Sequence, residues 1–404
     1  MKKISLNKIF LILYIIIYLL HMKIYYANYI LLITFALYLL FSLKKIIIKP
    51  KYFIIIGIFS FAYLLPSLLS GNLYIGLKNI LNIILYLSPL IIYIIESKSI
   101  GKDNFYTKVI PKIIYLVLIY IFIVSYIFLS KDPYFARIMA NYNYNIPGID
   151  GIGLITGGGY FIIYGLIFLS ILFLSRIRNN TNSSQKLKNI ILYILTGLLI
   201  FKANFATAFI LFMLATVIYI FINSYKKFKF FNILLSIIAI VLAVNYQYVF
   251  SVITEFIPED SIIYIRLNDA VNDTENSTFS ERFMLMKRSI ATIKDNFFFG
   301  ISHKYKYNYD LMKSEAGLHT EWIDVLAKYG IIVFLLYAYI IYKVLKNIIL
   351  KYKNTQYYHV FLTTAIMLVI LGFLNPISNT GCLGIIFVVM PLLMGEIENE
   401  KEVL

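Results

Sequence analysis

Charge is scarce in this 404-residue chain: Asp, Glu, Lys and Arg make up 14% of it, against 61% hydrophobic residues. A water-soluble domain has nearer a quarter of its residues charged, so an ordinary soluble globule is excluded and lipid is the expected solvent. Cysteine is scarcer still. The single Cys382 excludes an intrachain disulfide and a zinc site built on cysteines. Histidine is confined to His21, His303, His319 and His359, with no HxxxH or HExxH spacing, which argues against a metal enzyme. Arginine occurs six times, at Arg137, Arg176, Arg178, Arg266, Arg282 and Arg288. No small-residue cleavage site follows the first apolar run, so Lys2, Lys3 and Lys8 are read as flanking a retained first span. Nor does any repeat of 20 to 50 residues appear.

What the chain has in abundance is long apolar runs. A bilayer core of ~30 Å takes roughly 20 apolar residues at 1.5 Å each. Candidate spans lie near 9–22, 24–43, 52–70, 77–95, 110–129, 154–174, 187–201, 205–222, 230–250, 329–346, 357–374 and 380–395. The expected fold is therefore an all-α integral membrane protein of about 12 transmembrane helices. Basic residues set the orientation, because cytoplasmic loops keep an excess of Lys and Arg. With the N-terminus inside, the clusters at 44–51, 98–112, 176–188, 226–229 and 343–353 all fall on the cytoplasmic side, and both termini are cytoplasmic. The net charge of +17 then reads as a topology signal, and no nucleic-acid partner is needed to explain it.

One stretch breaks the pattern. Residues 251–328 hold no span, carry 12 of the 20 acidic residues and face outward by parity. The chain divides accordingly into spans one to nine (1–250), a large extracytoplasmic loop (251–328) and spans ten to twelve (329–404). A loop this long is usually functional or disordered. Thr278 and Glu281 have capping-box spacing, and Phe283, Met286, Ile290, Ile293 and Phe297 recur every three or four residues. An amphipathic helix follows, lying on the membrane surface or on the bundle. A turn is expected at Phe299-Gly300-Ile301-Ser302. A second helix is expected from about Leu318, with His319, Trp322 and Leu326 on one face, running through Gly330 into the tenth span. A second outward loop, about 130–153, contains Arg137. Gly151, Gly153 and Gly157 to Gly159 lack the strand-turn-helix setting of a dinucleotide site and read as close packing or a ligand's approach.

Ser280-Glu281-Arg282 leads the first helix, Phe299-Gly300 ends it, and Gly317-Leu318-His319-Thr320-Glu321-Trp322 precedes Leu326 and Tyr329-Gly330 at the entry to a late span. This arrangement resembles the O-antigen ligase and polymerase superfamily, with which the spans and the large late outward loop also agree. Thr320 stands where Asn is usual, and Ser302 where a second Gly is usual. The resemblance implies inverting glycosyl transfer on the outer face of the bacterial cytoplasmic (inner) membrane, from undecaprenyl-diphosphate-linked oligosaccharide to a sugar hydroxyl, with no metal or nucleotide cofactor. It also implies membrane lipid as a partner, and a chain-length regulator and a flippase as associated proteins.

The residues are consistent with that chemistry. Without a metal, charge growing on a diphosphate leaving group must be met by fixed cations, and arginine grips phosphate through two parallel bonds. Arg282 lies roughly 60° from the centre of the apolar stripe, while Arg288 points to the opposite side. Arg282 is the leading substrate-binding candidate, weighed against a snorkelling cation. Arg137 is the preferred second clamp. Arg288 and Lys202 are weaker candidates, as a structural charge and an interfacial anchor respectively, and Arg266 reads as structural. His319 is the candidate general base, with Glu321 orienting it or replacing it. His303 and the neighbouring Tyr305, Tyr307 and Tyr309 read as exposed loop. The leading function is a polysaccharide polymerase building O-antigen, capsule or a similar glycan. A ligase to a lipid or protein acceptor is its near alternative. A lipid-linked oligosaccharide flippase is the rival from another class, disfavoured because such carriers place charge near mid-membrane.

Overall fold

A chain this apolar has few choices once in lipid. Backbone N–H and C=O groups find no water there, so each run must satisfy them internally as a helix, even where β-branched Ile has only moderate helix propensity. The computed structural model describes residues 5–20, 27–69, 71, 73–132, 135–136, 159–224, 251–252, 254–256, 259, 264, 268, 278–302, 304, 315–317 and 319–394. Among them it is helical, with no strand. The main elements are α1 (Leu6–Leu20), α2 (Ala27–Phe41), α3 (Leu43–Ile47), α4 (Pro50–Leu69), α5 (Leu73–Glu96), α6 (Ile110–Lys131) and α7 (Tyr160–Asn179). They continue as α8 (Ser183–Lys202), α9 (Ala206–Ser224), α10 (Thr278–Asp295), α11 (Trp322–Lys351), α12 (Tyr358–Leu374) and α13 (Cys382–Met394).

Six of the described helices are long and apolar enough to cross a membrane, and five more are apolar but shorter. Each expected span except 230–250 coincides with one of these, and that one lies outside the described residues. Local chemistry explains several boundaries. The Asn182 side chain accepts from Ser184 N at 2.9 Å and starts α8. Pro50 opens α4, where its missing N–H costs nothing. Wide i→i+5 turns at Phe105–Val109 and Ile385–Val389 each come just ahead of a proline, Pro111 and Pro391. A wider turn relieves the ring's clash with the carbonyl four residues back, so Pro391 does not interrupt the last helix as its position suggests.

The bundle is centred on α7, which is buried almost continuously from Ile162 to Phe173 and packs on α8, α9, α12 and α13. Peripheral helices present apolar stripes outward. On α6, Leu116, Ile119, Ile123 and Ile127 are exposed at helical spacing, with Leu116 67% accessible. Stripes of this kind belong against acyl chains.

Two polar contacts pin the interior. Glu96, 1% exposed, accepts from Lys45 Nζ at 2.7 Å, Tyr38 at 2.9 Å and Tyr106 at 2.7 Å. Arg176, counted above only as a topology signal, is 3% exposed and donates to the Tyr115 hydroxyl and to Leu393 O, tying α7 to α6 and α13.

Candidate active site

The region between α10 and α11 is built on small residues. The inner face of α10 carries Leu285, Ser289 and Thr292, while Phe283, Ile290 and Phe297 are exposed. Of the expected apolar stripe, Phe283, Ile290 and Phe297 thus face outward, while Met286 and Ile293 are half-buried and Ile293 packs on Ile301, Ala316 and Ala327. Ser289 Oγ donates to Asp324 Oδ1 at 2.6 Å and accepts from Gly317 N at 2.7 Å. Thr292 Oγ1 donates to Glu315 O at 2.8 Å. Gly317 lies so close that a Cβ would stand 2.3 Å from Leu285 O.

The helix entering from this region is not continuous. α11 breaks at Gly330, whose φ of 78° and ψ of 178° interrupt the hydrogen-bond ladder. The groups this frees are taken up by the turn after α10. Ile301 N donates to Ala327 O at 3.1 Å, Ser302 N to Lys328 O at 3.0 Å, and Ile331 N to Phe297 O at 2.9 Å. Three of the backbone groups at the break, Ala327 O, Lys328 O and Ile331 N, are thus satisfied by residues 297–302, as a buried break requires. Gly300 and Gly330 both have positive φ and close contacts: added Cβ atoms would lie 2.2 Å from Lys328 O and 2.1 Å from Phe298 O.

His319 sits in the bend before α11, half-buried, and not on the helical face shared by Trp322 and Leu326. The helix starts only at Trp322, because Asp324 holds the preceding turn: its Oδ2 accepts from Thr320 N at 2.6 Å. The imidazole-bearing turn is thus clamped on one side through Gly317 and Ser289 and on the other through Thr320 and Asp324.

Glu321 points into the bundle. Its N donates to Gly372 O at 2.7 Å, Oε1 accepts from Tyr337 at 2.7 Å, and Oε2 accepts from Ser378 N and Oγ, each at 3.1 Å. Tyr337 is in turn bonded to Tyr86 at 2.8 Å. Burial pushes the Glu321 carboxyl up from the ordinary carboxylate range, while the Tyr337 and Ser378 bonds and the charge on Lys328 pull the other way. Trp322 Nε1 donates to Val369 O at 2.9 Å and covers Gly372, where a Cβ would lie 2.2 Å from that nitrogen.

Arg282 is half-buried and donates from Nη1 to Thr207 Oγ1 at 3.2 Å, at the head of α9. Thr207 in turn bonds the Tyr164 hydroxyl, to which Asn375 Nδ2 donates at 3.3 Å. Asn375 lies between Gly372 and Ser378, the two anchors of Glu321. The arginine chain and the glutamate chain therefore converge on one turn at the end of α12, and the Tyr160 hydroxyl is within electrostatic reach of both Arg282 and Glu321.

Two other expected cations, Arg288 and Lys202, are not in this cluster. Arg288 is exposed on α10. Lys202 Nζ donates to Ser130 Oγ at 3.2 Å and lies 5.0 Å from the centre of the Tyr126 ring, which fits the interfacial-anchor reading. Arg137, Arg266, His303, Tyr305, Tyr307, Tyr309, Gly151, Gly153, Gly157 and Gly158 lie outside the described residues. Sequence reasoning missed Ser289, Asp324, Tyr337, Asn375 and Ser378. Of these, Asp324 alone carried a local signal, an acid in a first helical turn.

Residues 191–338 match the family model described as O-antigen ligase. Over this segment the chain is similar to the O-antigen ligase and polymerase superfamily. The segment contains Thr207, Arg282, Ser289, His319, Glu321, Asp324 and Tyr337, whereas Tyr164, Gly372, Asn375 and Ser378, which hold the cluster from α7 and α12, lie outside it. No curated protein matches the chain. The O-antigen ligase match indicates a ligase- or polymerase-like function of the glycosyltransferase type in a membrane-embedded protein.

Proposed function

We propose that the protein is a polysaccharide polymerase, transferring an undecaprenyl-diphosphate-linked glycan to a hydroxyl on another lipid-linked repeat unit at the outer face of the cytoplasmic membrane. The observation that carries this reading is the convergence of Arg282 and the His319-Glu321 turn on one end of the bundle, within a segment matching the O-antigen ligase family. His319 takes the proton of the acceptor hydroxyl. That oxygen bonds to the anomeric carbon from the side opposite the diphosphate, the anomeric C–O bond to the diphosphate breaks, and the configuration inverts. Arg282 meets the charge that develops on the departing diphosphate, and Arg137 is its proposed second clamp.

Glu321 acts as a positioning residue in this scheme. Its carboxylate is committed to Tyr337 and Ser378, so it fixes the α11 entrance on α12. The exposed side of α10 mixes apolar Phe283, Met284 and Ile290 with Lys287, Arg288 and Lys294, a composition suited to the headgroup boundary, and this supports placing the segment at the level of a lipid diphosphate. A flippase supplying the donor and a chain-length regulator are its proposed partners.

The family's description favours a second reading, a ligase moving a finished glycan to a lipid or protein acceptor. The donor end of the reaction is common to both. In cells lacking the gene, collapse of the glycan ladder to single repeats supports the polymerase, and full-length unattached polymer supports the ligase. Complementation with Arg282→Ala or His319→Ala is expected to restore no ladder while the protein accumulates, a loss of at least ~10²-fold in turnover for removing a general base. Arg282→Lys is expected to restore little, since two-bond phosphate geometry is lost. Normal ladders from the His319 variant would remove it from the mechanism.

A further inference from the structure

The end of the bundle remote from Arg282 and His319 holds a half-open cavity of about 720 Å³, lined by the start of α4, the end of α5 and the end of α11. From Gly330 to Lys351, α11 rises ~30 Å at 1.5 Å per residue, about the thickness of the hydrocarbon core. The cavity and the candidate active site therefore lie at opposite membrane faces. Lys49, Lys51, Lys98 and Lys351 line the cavity, together with Tyr52 and Tyr93.

Dipoles hold these ammonium groups in place. Lys49 Nζ donates to Ile94 O and to Ser97 Oγ at 2.8 Å, and Lys351 Nζ donates to Ser97 O at 3.0 Å and Ile100 O at 3.2 Å. The charges acting on Lys49 are those of Lys98, Lys45 and Lys351 against Glu96, and Glu96 is itself engaged by Lys45 at 2.7 Å. Among the described residues, three ammoniums and one carboxylate thus act on Lys49. Lys49 is pushed below the ordinary lysine range, by burial first and then by its basic neighbours, with Glu96 partly offsetting them. An anion seated in the cavity would relieve this strain. The rim is apolar: Ile48 is 68% exposed and Leu350 55%, with Ile47 beside them at 75%. Cations next to exposed aliphatic side chains match the boundary between lipid headgroups and acyl chains.

We propose that this cavity binds the phosphate of an anionic glycerophospholipid headgroup, with the acyl chains lying along Ile47, Ile48 and Leu350. Inorganic phosphate offers the same anionic oxygens without the apolar part, so it separates the two sources. The site is distinct from glycan transfer and stands independently of that reading.

The test uses full-length protein in neutral detergent, titrated with phosphatidylglycerol, phosphatidylcholine or inorganic phosphate, and followed by native mass spectrometry and thermal unfolding. Phosphatidylglycerol is expected to be retained as a discrete adduct and to raise the melting temperature, and the other two are not. Lys51→Glu with Lys98→Glu, two exposed side chains lining the cavity, is expected to weaken that retention about tenfold or more without lowering the lipid-free melting temperature, since the Lys98 change also removes a repulsion on Lys49. Lys351→Ala, which also loses carbonyl contacts, serves as the second variant. Equal retention of phosphatidylcholine, undiminished retention by the Lys51→Glu/Lys98→Glu variant, or stabilisation by inorganic phosphate equal to that by phosphatidylglycerol would overturn the proposal.

Discussion

At the scale of single residues, the candidate site depends on two carboxylates with different tasks. Glu321 is buried and its pKa is raised, so folding favours its protonated form. The stability it contributes is fully present below the ordinary carboxylate value of 4.5 and is lost as pH rises through the raised folded value. Glu321→Gln keeps a neutral side chain in place: its carbonyl can accept from Ser378 N, while the Tyr337 hydroxyl turns to accept from its amide. The melting temperature of the native protein is therefore expected to fall from about pH 5 towards neutrality, with the Gln variant losing that part of the slope. Identical profiles would contradict the account. Because Gln preserves the geometry, this variant is also expected to retain most turnover, which a catalytic base would not allow. Asp324 has the other task, holding Thr320 N and Ser289 Oγ. Asp324→Ala leaves Thr320 N without this acceptor and the Ser289 hydroxyl with only Leu285 O at 3.3 Å, and is expected to cost about 1–3 kcal/mol, seen as a lowered melting temperature. Its turnover should fall further than that of an equally destabilised control in the bundle core.

At the scale of elements, the break in α11 and the turn after α10 form one unit. Gly300 and Gly330 each stand at positive φ with another segment's backbone where a Cβ would be. Gly300→Ala and Gly330→Ala are each expected to cost at least ~1–3 kcal/mol from backbone strain alone, read as reduced accumulation and early thermal unfolding. Wild-type melting temperatures would contradict the interlock. This unit also marks the limit of what was legible in the sequence. The period of α10 was legible. The direction of its apolar stripe was not, because in lipid the apolar face turns outward and small or polar residues such as Ser289 and Thr292 make the helix contacts. The break at Gly330 was hidden for another reason. A lone glycine in a helical pattern is usually tolerated, and what makes this one break the helix is hydrogen bonding to residues 297–302, remote in sequence. His319 was consequently assigned to a helical face that the clamped turn does not share.

At the scale of the whole molecule, the all-helical, membrane-embedded character was legible because length and hydropathy alone decide whether a helix can cross a bilayer. The convergence on the end of α12 was not, since Asn375 and Ser378 look like ordinary turn residues until Glu321 and Tyr164 are brought to them. The account requires the end carrying Arg282 and His319 to face outward and the lysine-lined end to face the cytosol. Cys382 is fully buried, so the native chain offers no accessible thiol background among the described residues. The most direct measurement is labelling of Lys287→Cys and Lys98→Cys, two exposed positions at the opposite ends, with a membrane-impermeant maleimide on cells whose cytoplasmic membrane is intact. The account predicts that Lys287→Cys is labelled at once and Lys98→Cys only after permeabilisation. The reverse pattern would put the arginine and the imidazole in the cytosol and contradict glycan transfer at the outer face.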